Sequence, residues 1–410
     1  MRGRADLRER VRRLPGMDEL LPALLELPPV YLVGGPVRNV LAVDDRLEGI
    51  DLAVEGDARP VAREIAARLD GRIREYESFG TATIWAGRHE FDVTPTRRET
   101  YDEPGALPRV EPAPLEEDLG RRDFTVNAMA IGLRGDDLGH LYDVHGGLAD
   151  LDERLIRVLH EGSFLDDPTR LLRAVRFETR LGFRMTDETE RAARVAVVEG
   201  ALSTVSGKRI RDELMDLLAE VEVPDAVERL SDLGIDRGLH PALRPDAELV
   251  ASAALGAVAL GADRSLAALA ALCASAPEEL EGWLDGLQLD ARDRDAVMWA
   301  ARWAQPLAWT LREREHSAAE LRAALGHERP ETLALALAFG APPEPILRWR
   351  TELARVRLEI TGDDLLRAGV PEGPAVGRAL EGTLDRKLDG LVSGREDELR
   401  SALALVREDG

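Results

Sequence analysis

The sequence predicts an α+β protein, a small mixed sheet with helices followed by an all-α remainder, and three observations carry that prediction. Short β-like runs (YLVGG, GIDLAVEG, TATIWAG, HEFDVTPT and HLYDVHGG) occupy the stretch from Tyr31 to about Val158. Helical patterns such as RPVAREIAARLDG lie between them, with apolar positions three and four apart. After about Ser163 the strand signals almost vanish. FLDDPTRLLRAVRFETRLGF, DETERAARVAVVEG, GKRIRDELMDLLAEV and SLAALAALCASA carry a helical period broken by Gly and Pro. At 410 residues the chain exceeds one ordinary core, so roughly two to four packed units are expected.

Composition narrows the class. Hydrophobic residues make up 44% and charged residues 32%, a globular balance without an apolar run of the roughly 18 residues that a membrane span needs. The basic start MRGRADLRERVRRLPG is followed by no apolar segment of the kind a secretory signal carries. The single cysteine, Cys273, excludes a disulfide framework and suits a cytoplasmic protein. A formal charge of −23 runs against a nucleic-acid partner, but the distribution of charge matters more than its sum. Arginines cluster between Arg121 and Arg211, acidic residues crowd the C-terminal half, and Lys208 and Lys387 are the only lysines. Arginine suits bidentate phosphate and base contacts, although a GC-rich genome gives the same bias.

Taken in order, the first chemical element is LVGGPVRN. A strand ending in Gly34 and Gly35 and running into a helix lets backbone N–H groups approach a phosphate, with Arg38 one turn in to pair with it; Gly-Gly before a helix is also common turn punctuation. In GIDLAVEGD, Asp51 sits on a strand. A D-x-D pair there would place two carboxylates on one face, because side chains repeat every two residues, but position 49 is Gly49. Glu48 alternates to the opposite face unless the strand bulges, and Asp92 in FDVTPT is a candidate from an adjacent strand. The Pro-rich, acidic TYDEPGALPRVEPAPLEEDLG reads as a mobile loop. In DDPTRLLRAVRF, Asp167, Arg170, Arg173 and Arg176 recur every three residues, which predicts a slowly turning stripe on one helix. Arginines on such a face often serve only solubility. With an aspartate leading, the pair can instead accept from an exocyclic amine and donate to neighbouring ring acceptors, selecting C and A over U and G.

In order and with near-family spacing, LVGGPVRN, GIDLAVEGDA, FDVTPTRRETYDEPGALPRVEPAPLEEDLGRRDFTVNAMAI, YDVHGGLADLDERLIRVL and DDPTRLLRAVRFETRLGF resemble the class II CCA-adding tRNA nucleotidyltransferases and bacterial poly(A) polymerases. The match covers roughly Tyr31 to Leu218, and ITGDDLLRAGVPEGPAVGRAL is similar to the family's tail. The resemblance implies a polymerase-β-like nucleotidyltransferase head (1–160), a helical neck that recognises the nucleobase (161–222), a helical body (223–335) and a tRNA-binding tail (336–410). It implies transfer of nucleotides from ATP, with CTP, to the 3′ end of a tRNA acceptor stem, with Mg²⁺ as cofactor. By position, Asp51 and Asp92 become catalytic candidates, with Asp51 as metal ligand. Gly34, Gly35, Arg38, Arg121, Arg122, Asp123 and Asn127 fall to nucleotide binding, the last two as a structural pair. Asp167 and Arg170 fall to the base, and Arg173 and Arg176 to phosphates or helix packing. Lys208, Arg209 and Arg211 in SGKRIRDELMDLL are candidates for RNA phosphates, or for a solvated amphipathic helix.

Three positions depart from the family. Gly49 stands where it has a metal-binding Asp, Asn39 where it usually has Asp, and Asp166 where it usually has Glu. Removing even one transition-state donor costs about 10²–10³ in rate, so Gly49 leaves three readings open: an altered residue, an enzyme that recruits Glu48 or Asp92, or a non-catalytic paralogue that still binds tRNA or nucleotide. The shared motifs leave CCA, A-only and poly(A) addition open, while the length of the Tyr101–Asp118 loop argues against CC-only addition. A small-molecule nucleotidyltransferase fits less well, since the long helical remainder suits an elongated RNA.

Overall fold

The computed structural model describes residues 4–42, 49–77 and 80–408. Contacts divide the chain into two compact units, Met1–Glu222 with Arg229–Pro241, and Val223–Glu228 with Ala242–Gly410. The expected head and neck thus fall in the first unit. The expected body and tail fall in the second, except for an exchange around residues 223–241.

The first unit is built on a seven-stranded sheet in the order β3-β4-β5-β2-β1-β8-β9. Its strands are β1 (Val30–Val33), β2 (Ile50–Val54), β3 (Arg72–Tyr76), β4 (Thr81–Ala86), β5 (His89–Pro95), β8 (Ala130–Gly132) and β9 (Leu141–Tyr142). β6 (Arg97–Thr100) and β7 (Arg109–Pro112) form a separate antiparallel hairpin. β10 (Leu155–Ile156) and β11 (Arg184–Met185) form a short parallel pair. Val30, Leu32, Leu52, Val54, Phe91 and Val93 are buried on one face of the sheet, while on the alternate face Asp51 is exposed and Asp92 half-buried. β2 and β5 are the parallel neighbours of the large sheet, and their register sets Asp51 directly opposite Asp92. In a parallel pair, opposed residues share a face, so the sheet places the two carboxylates side by side.

Three expectations need correction. The segment read as one mobile loop is largely ordered secondary structure. Arg109–Pro112 pairs with Arg97–Thr100, and Leu115–Gly120 is helical, which leaves residues 101–108 as a loop and 113–114 as a short link. Its Pro and acidic content hid a strand whose exposed, polar pattern is that of a two-stranded ribbon. β3, RIREY, is a polar edge strand that the reading also missed. Asp167 does not lie on the arginine-bearing helix. Its backbone is extended (φ −133°, ψ 92°), and the helix Arg170–Leu181 begins three residues later.

The second unit is helical, from Ala247–Leu260 to Arg395–Glu408. Its core is made of small and aliphatic side chains such as Ala253, Ala267, Leu269, Ala300 and Leu335, with Cys273 fully buried among them. No helix among the described residues is long and apolar enough to cross a membrane.

Candidate active site

A cleft of about 550 Å³ opens in the first unit where β1, β2, the β6–β7 hairpin and the helices Arg170–Leu181 and Gly207–Leu218 meet. At its floor, β1 ends in Gly34, whose φ of +71° a side chain would rarely adopt. A Cβ there would sit 3.0 Å from Arg122 Nη1 and 3.7 Å from Asp51 Oδ2. Glycine is thus what lets the strand end, the carboxylate and the guanidinium converge. The helix Gly35–Ala42 then begins, carrying Arg38.

Arg38 is buried at 6% exposure and donates to Asn127 Oδ1. Asn127 Nδ2 donates to Asp123 Oδ1 at 3.1 Å, and Asp123 Oδ2 accepts from Arg173 Nη2 at 2.7 Å. Arg173 also donates to Glu213 at 2.8 Å, and Glu213 accepts from Arg176 at 3.0 Å. This chain of charge-assisted bonds ties the helix Gly35–Ala42 to the helices Arg170–Leu181 and Gly207–Leu218. Burial alone would raise the Asp123 carboxyl, but the Arg173 charge and its hydrogen bonds, with those from Asn127 and the Phe124 amide, hold it below its ordinary value. The Phe177 ring lies 5.3–5.5 Å from the guanidinium carbons of Arg38, Arg173 and Arg176, packing the three cations around one quadrupole.

Arg121 and Arg122 are aimed by one buried acid. Asp118 accepts from Arg121 Nε at 2.9 Å and from Arg122 Nη2 at 3.1 Å. Arg170, 5% exposed, donates to Ser163 Oγ at 2.6 Å and to the Arg121 carbonyl at 2.8 Å, which fixes its plane at the start of its helix. Asp167 Oδ1 accepts from Thr169 N at 3.1 Å, Thr169 Oγ1 at 2.6 Å and Arg209 Nη2 at 2.7 Å. Those bonds all fall on one oxygen of a carboxylate that lines the cleft. Extended backbone before the helix, rather than helical spacing, therefore sets Asp167 beside Arg170.

Among the expected site residues, Gly34, Gly35, Arg38, Asp51, Arg121, Arg122, Asp123, Asn127, Asp167, Arg170, Arg173 and Arg176 all line this cleft. Asp123 and Asn127 are buried beneath it, and Arg173 and Arg176 are engaged by carboxylates. Asp92 does not line the cleft, but it lies beside Asp51 on the adjacent strand and accepts from Thr83 Oγ1 at 2.6 Å. Of the three RNA candidates, Arg209 turns into the cleft, Arg211 pairs with Asp212 at 2.7 Å, and Lys208 is solvent-exposed. Glu48 lies outside the described residues. Asn39 lines the cleft and accepts from Arg38 at 3.3 Å.

The reading missed Glu99, Tyr101, Phe177 and Arg180, which also line the cleft. Phe177 is legible as the apolar residue following Arg176; the others depend on how the β6–β7 hairpin and the helix Arg170–Leu181 come together at the cleft. Tyr101 donates to Glu99 at 3.1 Å, and burial with the Glu99 charge pushes its hydroxyl up to about 12. Eight arginines and four acids line the cleft, so a chain of net charge −23 carries a locally cationic site.

Comparison with known proteins gives this geometry a family. The model of the poly A polymerase head domain matches residues 30–157. An A-adding tRNA nucleotidyltransferase of Geobacter sulfurreducens is 35% identical over 402 residues, covering 93% of this chain but 46% of its own length. A CC-adding tRNA nucleotidyltransferase of Deinococcus radiodurans is 33% identical over 379 residues, covering 91% of this chain and 88% of its own. The chain belongs to the tRNA nucleotidyltransferase family. Solved CCA-adding enzymes in complex with ATP and with CTP match this tRNA nucleotidyltransferase-family chain at TM-scores of 0.81 and 0.80, each with 31% identity and 97% coverage of both chains. The Thermotoga maritima CCA-adding enzyme complexed with tRNA matches at 0.77, with 30% identity and coverage of 97% and 98%. The chain spans about half the length, or less, of the A-adding relatives it matches.

Nucleotidyltransferases of this family generally use a divalent metal ion. The residues present fit one. Burial, then the neighbouring Asp92 charge, raises the Asp51 carboxyl above its ordinary value, while Arg122 acts in the opposite sense. Asp51 with Asp92 would hold such an ion, and its charge would relieve that repulsion. Gly49 adds no ligand, and no cluster of three or more His, Cys, Asp or Glu side chains that could hold a metal exists among the described residues. Asp51 and Asp92 would leave the remaining positions of such an ion to phosphate and water, as suits a hard cation.

Proposed function

We propose that this protein transfers nucleotides from ATP, and from CTP, to the 3′ end of tRNA, completing CCA or adding its terminal A. The observation that carries this reading is the convergence of Asp51, the Arg38, Arg121 and Arg122 cations and the Asp167–Arg170 pair in one cleft. The resemblance to enzymes solved with ATP, CTP and tRNA supports it. Asp167 Oδ2 accepts the exocyclic amine that C and A carry on their Watson–Crick edge, and Arg170 donates to the adjacent ring acceptor. U and G present a carbonyl at that edge and meet the carboxylate as a repulsion. Arg121, Arg122 and the N-terminus of Gly35–Ala42 take the triphosphate. The buried network from Arg38 to Arg176 keeps base and phosphate sites at a fixed separation.

Asp51 with Asp92 would hold Mg²⁺, which supplies charge neutralisation at the triphosphate and lowers the pKa of the attacking hydroxyl. The single, buried cysteine supports a cytoplasmic setting. A second reading, a binder without catalysis, rests on Gly49. The backbone there has φ +69°, so the position where the family carries its other aspartate is left-handed, and no described residue comes within 4 Å of where a side chain would start.

The deciding experiment incorporates labelled ATP and CTP into tRNA transcripts ending before CCA, after CC and complete, using the chain as it stands and Gly49→Asp. Extension by the unaltered chain, at the end it chooses, names the activity; repeated A addition to a complete end would name a poly(A) polymerase. Extension by the variant alone would make the unaltered chain a binder. No nucleotide binding protected by Asp167 and Arg170 would overturn the family of readings.

A further inference from the structure

In the helical unit, the helix Ala291–Glu313 carries Trp299 and Trp303 one turn apart, 47% and 48% exposed. Aromatic residues form only 4% of this chain, and large indoles are ordinarily covered. Their ring centroids are 5.7 Å apart and their planes inclined by 44°, so neither ring covers the other's face. Trp299 Nε1 donates to Glu328 Oε2 at 2.9 Å, which fixes the rotation of that indole. The two rings line a depression of about 540 Å³ together with Arg294, Asp295, Arg302, His327 and Arg329, with Asp295 taken by Arg294 at 3.1 Å.

The charges lining this depression are not equivalent. Arg294 and Arg302 both bond Glu281, at 2.9 and 2.7 Å. Arg329 donates to the Arg292 carbonyl at 2.6 Å and has no carboxylate partner among the described residues. Flat apolar faces beside an uncompensated guanidinium match a ligand that is itself a flat ring joined to an anion. An unpaired nucleobase with its phosphate has that chemistry: a base stacks on an indole whatever its sequence, and arginine takes the phosphate.

We propose that Trp299 and Trp303 form a stacking platform for an unpaired nucleobase of the RNA substrate, with Arg329 on the adjoining phosphate. The inference rests on the reading that the acceptor is a tRNA. It assigns to the helical unit a base-stacking contact distinct from the nucleotide cleft.

The test measures binding of a tRNA transcript lacking CCA by fluorescence anisotropy, alongside binding of ATP to the cleft. Trp299→Ala/Trp303→Ala should raise the tRNA Kd about tenfold and leave ATP binding unchanged. Trp299→Phe/Trp303→Phe should keep most of the affinity, since a ring remains. Trp309→Ala, which removes an exposed indole of the same helix outside the pair, should change nothing. Arg329→Gln, which does not disturb the indoles, should weaken binding and reduce its salt slope by about 1. If the unaltered protein binds tRNA and the double alanine variant binds it equally well, the platform is refuted while the acceptor reading stands. No tRNA binding by the unaltered protein overturns the acceptor reading and the platform together. A dimer in sedimentation that the double alanine variant abolishes would show the indoles to be a self-interface and overturn the proposal.

Discussion

At Asp123, burial and charge act in opposite directions. The carboxylate is 8% exposed, and desolvation disfavours its ionised form, yet Arg173, Asn127 and its own Phe124 amide all stabilise that form. Removing one partner of a buried ion pair costs about 3–5 kcal/mol. Asp123→Asn should lie near the lower end because Arg173 keeps Glu213. The pH dependence follows from the depressed folded value. The stabilisation is complete above the unfolded carboxylate value near 3.8 and is lost as pH falls through the folded one. Urea titrations should therefore show the gap between Asp123→Asn and the unaltered protein constant near neutrality and shrinking only in strong acid. A gap that closes near pH 6 would refute the assignment. At Gly49 the cost is conformational, since no described residue crowds the position but φ is +69°. Placing a chiral residue there costs about 1 kcal/mol, so Gly49→Asp should lower Tm by about 2–4 °C. Its gain in nucleotide transfer is to be read against that loss.

Among the elements, the loop of residues 101–108 is held by long-range contacts rather than by its own sequence. Gly105 N donates to the Leu165 carbonyl at 3.2 Å, and Arg209 Nη1 donates to the Gly105 carbonyl at 3.1 Å. Gly105 has φ +71°, and a Cβ there would lie 2.1 Å from Thr204 Oγ1. Gly105→Ala should displace this loop and remove the carbonyl that Arg209 holds. We expect faster proteolysis within residues 101–108 and a KM for ATP raised by about tenfold, equivalent to one lost hydrogen bond of about 1.4 kcal/mol to a charged group. Unchanged KM with faster proteolysis would separate the loop from the site. The same segment shows where sequence legibility ends. Asp51, Arg38 and Arg170 were readable because strand alternation and helix starts are local rules. The β6–β7 pairing, the seat of Gly105 on Thr204 and the turn of Arg209 into the cleft join residues up to 104 positions apart, where no period operates. Asp167 is the instructive miss. Its three-residue spacing to Arg170 suggested one helical stripe, but an Asx-type bond to Thr169 N ends the preceding turn and sets the carboxylate by extended backbone.

Over the whole molecule, the charge that argued against a nucleic-acid partner is unevenly placed. Eight arginines face four acids in the cleft of a chain whose sum is −23. Several of those arginines are held by carboxylates beneath them, as Arg173 and Arg176 are by Glu213. The positive potential is therefore fixed in place and short in range, since charges beyond about 10 Å are screened at ordinary ionic strength. Such a surface repels a polyanion at a distance and attracts it at contact. Two consequences follow for the salt dependence of tRNA binding. Each phosphate neutralised contributes about −0.7 to −0.9 to the slope of log K against log salt, so three or four contacts give a slope of about −3. Long-range repulsion by the acidic surface, in contrast, should slow association at low salt, so kon falls as salt is removed while Kd still tightens. Stopped-flow anisotropy across a salt series measures both terms. A kon that rises steeply as salt is lowered would mean that a broad basic face steers the RNA, and the cleft would not be the main electrostatic contact.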